Sequence, residues 1–300
     1  MNWIVTGILS HLSWGTSNII DKYIISNRVK NIRVFLVWMS WLGALTIFAL
    51  PWIDFSYPGH TVLLWLTLCG FMYTIGFLWY LKAVEISEIS RINIWWNLIP
   101  VFSLLFGWIF LKELPNQGQF MAMTVLFIAS ILGSINFTRD QKFFSPGLWW
   151  IIAFCIEFSL YSIIIRMVGQ NVSIPFVFIY INFIRGVSVF FFFASKKFRT
   201  EFVAETKRIT PGIGFWLLAT ISVDYLGTAL GQWALKDGQA ALVLSLEGVQ
   251  ALYVFFISLC IAKLWPRALQ ESTEQKNIVV KVLALILALV GIILFSYFSF

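Results

Sequence analysis

The sequence predicts an all-α integral membrane protein with ten transmembrane helices, arranged as two inverted repeats of five helices each. Three observations support this fold class. The composition is too apolar for a protein surrounded by water, ten separate runs are long enough to cross a bilayer, and the two halves of the chain share short motifs in the same order.

The composition excludes the soluble classes of protein. Of the 300 residues, 60% are hydrophobic and only 12% are charged, whereas soluble domains carry about 45–50% apolar and about 25% charged residues. The three cysteines lie in separate apolar runs, without metal-ligand or disulfide spacing, at Cys69, Cys155 and Cys260. Each is interpreted as a small apolar side chain rather than a reactive thiol.

Ten apolar runs are long enough to span a bilayer as helices. A crossing helix needs about 20 predominantly apolar residues, and backbone polar groups in lipid must be satisfied within the segment, which favours helices. The predicted spans are 3–24, 33–51, 61–81, 91–111, 118–137, 146–166, 174–194, 212–235, 240–262 and 277–298. The connections between them are short, and only 195–211 and 263–276 could hold more than a turn.

A weak internal repeat divides the chain into two halves of five spans each. A polar stretch at 138–146 marks the division, so the predicted units are residues 1–140 and 141–300. Trp79–Lys82 at the end of the third span reads WYLK and matches Trp233–Lys236, which reads WALK, at the end of the eighth. Because five crossings is an odd number, the two units insert in opposite directions. Inverted repeats of this kind place a substrate site near the membrane midplane, at the repeat interface.

Short motifs in the first half resemble the EamA-type domain of the drug/metabolite transporter superfamily. They read LSWG at 12–15, YLKA at 80–83, PVF at 100–102 and GWIFLKE at 107–113. In the second half the resemblance is fainter and rests on Arg185 and on Ala234–Lys236. The resemblance covers nearly the whole chain and implies a ten-helix carrier of small organic solutes. One departure is that the fourth-helix proline, Pro100, has Gln250 as its counterpart in the second half.

The distribution of basic residues predicts the orientation in the membrane. Loops after odd-numbered spans hold 17 of the 21 Lys and Arg residues, the termini and other loops hold three, and Arg185 lies within a span. Basic loops remain cytoplasmic, so both termini are predicted to lie outside the cytoplasm, with the protein in the plasma (inner) membrane. The family resemblance implies cytoplasmic termini, and we give more weight to the charge count. Because these loops account for the net charge of +7, no nucleic-acid partner is expected.

Ionisable side chains inside the predicted spans are the main functional signal. Four lie well inside a span, namely Glu157, Arg185, Asp224 and Glu247. Each costs about 2.5–3.5 kcal/mol at the bilayer centre, so it has to pair, stay neutral or face water. Their counterparts in the first half are uncharged, namely Ser13, Leu42, Gly70 and Asn97. The repeat has therefore lost its symmetry where the charges lie.

Two of these side chains have alternative interpretations. Arg185 either forms an ion pair with Asp224 or Glu157 that locks helices together, which we favour, or it binds an anionic group of a substrate. Glu247 either stays protonated in a hydrogen bond to a neighbouring helix or binds and releases a proton or a cation, which we favour.

Polar and aromatic residues near these charges complete the predicted site. His11, Asn18 and Asp21 share one face of the first span, which suits either the lining of a pathway or helix packing. Aromatic rings near the charges could hold a cation or a flat ring. The candidate substrate-binding residues are Glu247, Asn97, Arg185, Asp224, Glu157, Gln250, His11, Trp96, Trp79 and Tyr225.

These features predict a secondary transporter of a small organic metabolite or drug-like solute that works by alternating access, with proton coupling left open. The alternative is a flippase of the same fold that moves a lipid or a lipid-linked solute. The sequence shows no phosphate-binding glycine loop, metal-ligand cluster or Ser-His-Asp pattern, so neither catalysis nor a cofactor or metal is expected. The expected partners are the solute, the lipid bilayer and protons, and the protein is expected to be a monomer.

Overall fold

The computed structural model describes residues 3–53, 56–112, 116–135, 146–170, 172–269, 271–272 and 274–298 of the 300. Within these ranges the secondary structure is helical. The predicted boundary between the two halves, at residues 140 and 141, lies outside the described residues, as do two of the counted basic residues, Arg139 and Lys142.

The helices follow the predicted spans closely. In the first half they are α1 (Trp3–Asn27), α2 (Ile32–Ala44) with a 3₁₀ continuation (Leu45–Trp52), α3 (His60–Ile86), α4 (Ile89–Trp95), α5 (Leu98–Leu111) and α6 (Gln117–Ser134). In the second half they are α7 (Leu148–Gly169), α8 (Ile174–Ser188) with a 3₁₀ continuation (Val189–Ala194), α9 (Lys196–Thr206), α10 (Pro211–Asp237), α11 (Ala240–Ser245), α12 (Glu247–Leu264), α13 (Pro266–Leu269) and α14 (Gln275–Tyr297). The two longer connections hold α9 and α13.

Among the described residues, eight helical segments are long and apolar enough to cross a membrane. They are Ile32–Trp52, His60–Ile86, Ile89–Leu111, Leu148–Gly169, Ile174–Ala194, Pro211–Asp237, Ala240–Leu264 and Gln275–Tyr297. The other two predicted spans coincide with α1, which is 25 residues long and carries buried polar residues, and with the shorter α6. The chain is a multi-pass, all-helical membrane protein.

The fourth predicted span is interrupted in the middle rather than continuous. At this break the amide N–H of Ile99 donates to the carbonyl oxygen of Trp96 at 2.8 Å, a bond three residues back instead of four. Pro100 explains the interruption, since it lacks the N–H that would donate to Trp96 in a continuous α-helix. The break divides the span into α4 and α5, and Asn97 lies within it.

The ninth predicted span has a break of the same form, although it contains no proline there. The amide N–H of Val249 donates to the carbonyl oxygen of Leu246 at 2.9 Å, again three residues back. Glu247 is the first residue of the helix that follows, α12. The two breaks therefore fall at positions that the sequence comparison sets opposite each other, Asn97 against Glu247.

Helices from the two halves pack against each other throughout the bundle. In the described part of the chain α1 packs on α10, α3 on α7, α2 on α8, and α6 on α14, while α4 contacts α12 and α5 contacts α11. Close approach of α1 and α10 depends on Gly227 and Gly231, because a methyl group at either position would come within 2.8 Å of the Trp14 ring. The two glycines therefore serve close packing of these helices.

Candidate functional site

A chamber lies between the two halves of the bundle. Its walls come from α1, α3 and the break after α4 in the first half, and from α7 and α10 in the second. The lining residues are Trp14, Asn18, Tyr73, Phe77, Tyr80, Trp96, Phe154, Glu157, Phe158 and Asp224. The cavity between these side chains has a volume of about 30 Å³, which is room for about one water molecule and is smaller than the about 300–1,000 Å³ that is usual for small-molecule sites. The structure therefore shows the chamber with its lining side chains closely packed.

Two ladders of aromatic rings form much of the chamber wall. On α3 the rings of Tyr73, Phe77 and Tyr80 follow one another at intervals of four and three residues, which places them on one helical face. On α7 the same spacing aligns Phe154, Phe158 and Tyr161. The ladders run in opposite directions and meet at both ends, where Tyr73 contacts Tyr161 with ring centroids 5.5 Å apart and Tyr80 contacts Phe154 at 5.9 Å.

Two carboxylates face this aromatic surface. Glu157 on α7 and Asp224 on α10 are each only 7% exposed and line the chamber. Glu157 Oε1 and Asp224 Oδ2 have no hydrogen-bond partner among the described residues. Gly76 on α3 makes room for one of them, because a methyl group at Gly76 would collide with the Glu157 carboxylate.

Arg185 lies beside the chamber and does not lock the acids in place. In the described part of the chain, no nitrogen of Arg185 lies within 4.0 Å, the limit for an ion pair, of a carboxylate oxygen of Glu157 or Asp224. The favoured interpretation of an ion pair that locks helices together is therefore wrong. The guanidinium stacks over the ring of Tyr73 at 4.0 Å and donates to Asn182 Oδ1 at 3.0 Å. Cation–π contact and the hydrogen bond of Nη1 thus hold this buried charge behind the aromatic wall, while Nε and Nη2 have no hydrogen-bond partner among the described residues.

A second polar group lies at the break of the ninth span. His11 Nδ1 on α1 is 3.5 Å from Glu247 Oε1 and 3.3 Å from Gln250 Oε1. The other ring nitrogen, Nε2, donates to the carbonyl oxygen of Val243 at 3.1 Å. Nδ1 faces the oxygen atoms of Glu247 and Gln250. A favourable contact between His11 and Glu247 therefore needs a proton, which lies either on Nδ1 of the imidazole or on the carboxyl group.

Hydrogen bonds connect this histidine–glutamate pair to the chamber. Gln250 Nε2 donates to Asn93 Oδ1 at 2.8 Å, and Asn18 Nδ2 donates to the same oxygen at 3.2 Å. The hydroxyl of Tyr80 donates to Asn18 Oδ1 at 2.9 Å and lies 3.4 Å from Asp21 Oδ2. Since Asn18 and Tyr80 line the chamber, a change of protonation at Glu247 has a physical route to the chamber wall.

A buried cluster of charges joins the halves near the ends of two spans. Lys281 Nζ lies 2.6 Å from Glu88 Oε2 and 3.0 Å from Glu271 Oε2, and Arg91 Nη2 lies 3.2 Å from the same Glu88 oxygen. Burial favours the neutral form of Glu88, but the cations of Lys281 and Arg91 outweigh it and lower the pKa of this carboxyl group below its usual value. The cluster therefore bridges the loop before α4 and the start of α14 with charged hydrogen bonds.

The predicted site residues separate into groups. Those that line the chamber are Glu157, Asp224 and Trp96. Those at the two breaks are Glu247, Gln250, His11 and Asn97, all buried. Those behind the aromatic wall are Arg185 and Tyr225, whose hydroxyl lies 3.4 Å from the guanidinium. Trp79 does not line the chamber and packs partly buried against the hydrophobic core.

Several lining residues are absent from the sequence-based prediction of the site. They are Tyr73, Phe77, Phe154 and Phe158, and all four line the chamber. A signal for them is present in the sequence, because both ladders repeat an aromatic residue at four- and three-residue intervals. It is hard to recognise among 54 aromatic residues, most of which are expected to face lipid or the interface.

Comparisons with known proteins agree with this architecture. Residues 1–135 match the model of the EamA-like transporter family. Twenty-eight chains of solved structures match, and one of them, described as the crystal structure of a protein, is 15% identical with a TM-score of 0.58 and covers 97% of this chain and 94% of its own. That identity indicates a shared fold only. No curated protein matches the chain. The first half of the chain is therefore similar to the EamA-like transporter family.

Proposed function

We propose that this protein is a secondary transporter that carries a small organic solute by alternating access. The observation that carries the proposal is the chamber between the two halves, in which Glu157 Oε1 and Asp224 Oδ2 are buried and have no hydrogen-bond partner among the described residues. Buried polar atoms in a membrane protein are costly and mark substrate or ion pathways. A carrier needs such a site where its two halves can move relative to each other.

The packing of the helices supports an inverted repeat of two five-helix units, residues 1–140 and 141–300. The repeat makes α1 the counterpart of α7 and α3 the counterpart of α10. When each helix in one of the main contacts between the halves is replaced by its counterpart, the result is again a contact that the structure contains. The α1–α10 contact then corresponds to α7–α3, and the α4–α12 contact corresponds to α11–α5. The two helix breaks correspond in the same way, which also supports ten spans with α1 and α6 included.

Proton binding at Glu247 is the proposed means of coupling. Glu247 is 1% exposed, both of its oxygens lack a hydrogen-bond donor in the described part of the chain, and its neighbour His11 is fully buried. Protonation of Glu247 removes its attraction to His11, which lies on a helix of the other half. A ligand shifts the balance between two facing states only if it binds them with different affinities. The ligand here is the proton, and the contact of Glu247 with His11 across the two halves is the proposed source of its different affinities.

A groove on the side of the bundle gives the flippase alternative its support. It has a volume of about 740 Å³ and lies between α1, α10, α12 and α13, with Tyr23, Trp216, Trp265 and Arg267 among its lining residues. An apolar groove with aromatic rings and one cation suits an anionic lipid. The buried carboxylates lie in the other cavity, however, and we therefore favour the solute carrier.

Transport by the reconstituted protein tests the proposal. Purified protein in vesicles with a trapped pH indicator is offered separate panels of amines, amino acids and nucleosides, and solute-dependent proton movement is followed. A carrier produces a signal with at least one solute, whereas a flippase instead makes a fluorescent lipid of the inner leaflet accessible to an external quencher. Lipid movement without any solute uptake would contradict the carrier proposal.

The orientation and cellular membrane are also proposals. Trp3 and Phe295 belong to one cluster of packed side chains, which supports a common side for both ends of the described chain. The excess of basic residues in loops after odd-numbered spans supports a non-cytoplasmic location for that side, in a plasma (inner) membrane. The protein is proposed to act as a monomer, since the chamber is built within one chain.

A further inference from the structure

We propose that the chamber binds an organic monocation, in which a protonated amine is joined to an apolar or aromatic group. This inference rests on the transport function proposed above, because it names the class of solute for the same chamber. It is argued from three features: unpartnered carboxylate oxygens, the balance of charge and the aromatic ladders.

The carboxylates offer acceptors that this chain leaves unused. Glu157 Oε1 and Asp224 Oδ2 are buried and lack a donor among the described residues, whereas the nearby Asp21 accepts from Thr220 Oγ1 at 2.7 Å. An unsatisfied buried acceptor is unfavourable. The N–H groups of a protonated amine would satisfy both oxygens, since they are donors and carry the opposite charge.

The balance of charge favours a cation over an anion or a zwitterion. Two carboxyl groups, Glu157 and Asp224, line the chamber, and Arg185 is the one cation beside them in the described part of the chain. A bound monocation would therefore leave these three groups and the solute neutral in sum when both acids are ionised. Arg185 is not among the lining residues, because its guanidinium is stacked on Tyr73. Although Arg185 Nε and Nη2 have no hydrogen-bond partner among the described residues, the lining itself holds two acids and no cation, which favours the amine of a substrate over its carboxylate.

The aromatic ladders provide the remaining contact. Five of the six ladder rings line the chamber, together with Trp14 and Trp96. The faces of aromatic rings attract a cation, and ammonium ligands are commonly held in cages of this kind. The same rings bury the apolar part of the solute, so the cage suits an amine with a hydrocarbon or aromatic group better than a small inorganic cation.

Four matched probes test the class of solute on purified protein in detergent. They share a phenyl ring and differ in charge: phenethylamine is a cation, phenethyl alcohol is neutral, phenylacetate is an anion and phenylalanine is a zwitterion. Binding is measured by calorimetry at neutral pH. We expect phenethylamine to bind about tenfold or more tightly than each of the others, as for a charged hydrogen bond.

Variants locate the binding within the chamber. Glu157→Gln should weaken phenethylamine about tenfold or more, because it removes the charge but keeps the shape. Phe158→Leu should weaken it about three- to thirtyfold through the lost cation–π contact. The control is Glu205→Gln, which alters a buried carboxylate of α9 outside the chamber and should leave binding unchanged.

The outcomes separate this inference from the transport proposal. Binding of phenethyl alcohol, phenylacetate or phenylalanine as tight as that of phenethylamine overturns the inference, as does phenethylamine binding that both chamber variants leave intact. If Glu157→Gln does not fold, the probe series and Phe158→Leu still decide. Phenethylamine binding without uptake into vesicles contradicts transport alone, whereas uptake of other solutes without phenethylamine binding contradicts this inference alone.

Discussion

His11 Nδ1 lies 3.5 Å from Glu247 Oε1, so a buried imidazole on the first helix meets a buried carboxylate at the break of the ninth predicted span. The two residues belong to different halves of the chain. Their contact is linked by hydrogen bonds through Gln250 and Asn93 to Asn18 in the chamber wall. This relationship makes Glu247 the first residue to test for coupling.

Replacing Glu247 with glutamine should remove the pH dependence of transport. The substitution keeps the size of the side chain but abolishes its titration, so we expect solute exchange to continue while uptake no longer responds to a pH gradient. The measurement is uptake and counterflow exchange in vesicles over a range of pH. Glu205→Gln serves as the control, and an unchanged pH dependence in Glu247→Gln would exclude this residue from coupling.

A methyl group at Gly76 should disturb the chamber. Gly76→Ala collides with the Glu157 carboxylate, which is the movable end of that side chain, so we expect a cost near the lower end of the about 1–3 kcal/mol range of overpacking. We expect a lower Tm for the purified protein and weaker solute binding. The matched control is Gly214→Ala on α10, where an added methyl group meets nothing within 4 Å and the gain in helix propensity is about 0.5–1 kcal/mol. Equal Tm values for the two variants would contradict the described packing.

Removal of the Lys281 charge should destabilise the contact between the halves. Lys281→Met leaves Glu88 and Glu271 without their shared cation, and breaking a buried ion pair in this way costs about 3–5 kcal/mol. The expected result is a clear drop in Tm at neutral pH. Lys197→Met is the control, because the Lys197 side chain is 87% exposed and its pair with Glu201 is solvated, so its contribution is about 0–1 kcal/mol. A similar Tm for both variants would show that the cluster contributes little.

The same cluster predicts the sign of a pH effect on stability. The pKa of Glu88 is lowered in the folded protein from its usual value of 4.5, so its stabilisation is complete above pH 4.5 and is lost as the pH falls through the lowered value. The difference in Tm between wild type and Lys281→Met should therefore be largest above this pH and should shrink in more acidic solution. A difference that grows on acidification would contradict the assignment.

Cysteine labelling should decide the orientation. Lys197 lies in the connection after the seventh predicted span and Gln117 in the one after the fourth, and both are exposed. In a background with exposed Cys260 changed to serine, an impermeant maleimide applied to intact cells should label Gln117→Cys and leave Lys197→Cys unlabelled. The reverse pattern would show that the family resemblance, which implies cytoplasmic termini, predicts the orientation better than the charge count does.

The spans were predictable because the signal for them is local. An apolar run of about 20 residues identifies a membrane helix whatever its neighbours are, and all ten predicted spans coincide with helical segments. The break at Trp96 was also open to prediction, since Pro100 stands four residues later. The break at Leu246 was not, because Gln250 has an N–H and no local rule interrupts the helix there.

Hydropathy and charge along the sequence are enough to identify an apolar, multi-pass helical protein with ionisable groups inside its spans. Which of these groups meet is visible only after folding, which places His11 beside Glu247, stacks Arg185 on Tyr73 and leaves Glu157 and Asp224 facing a chamber. The physical reason is that insertion in lipid depends on the hydropathy of each segment alone, whereas pairing depends on the rotation and packing of helices far apart in sequence.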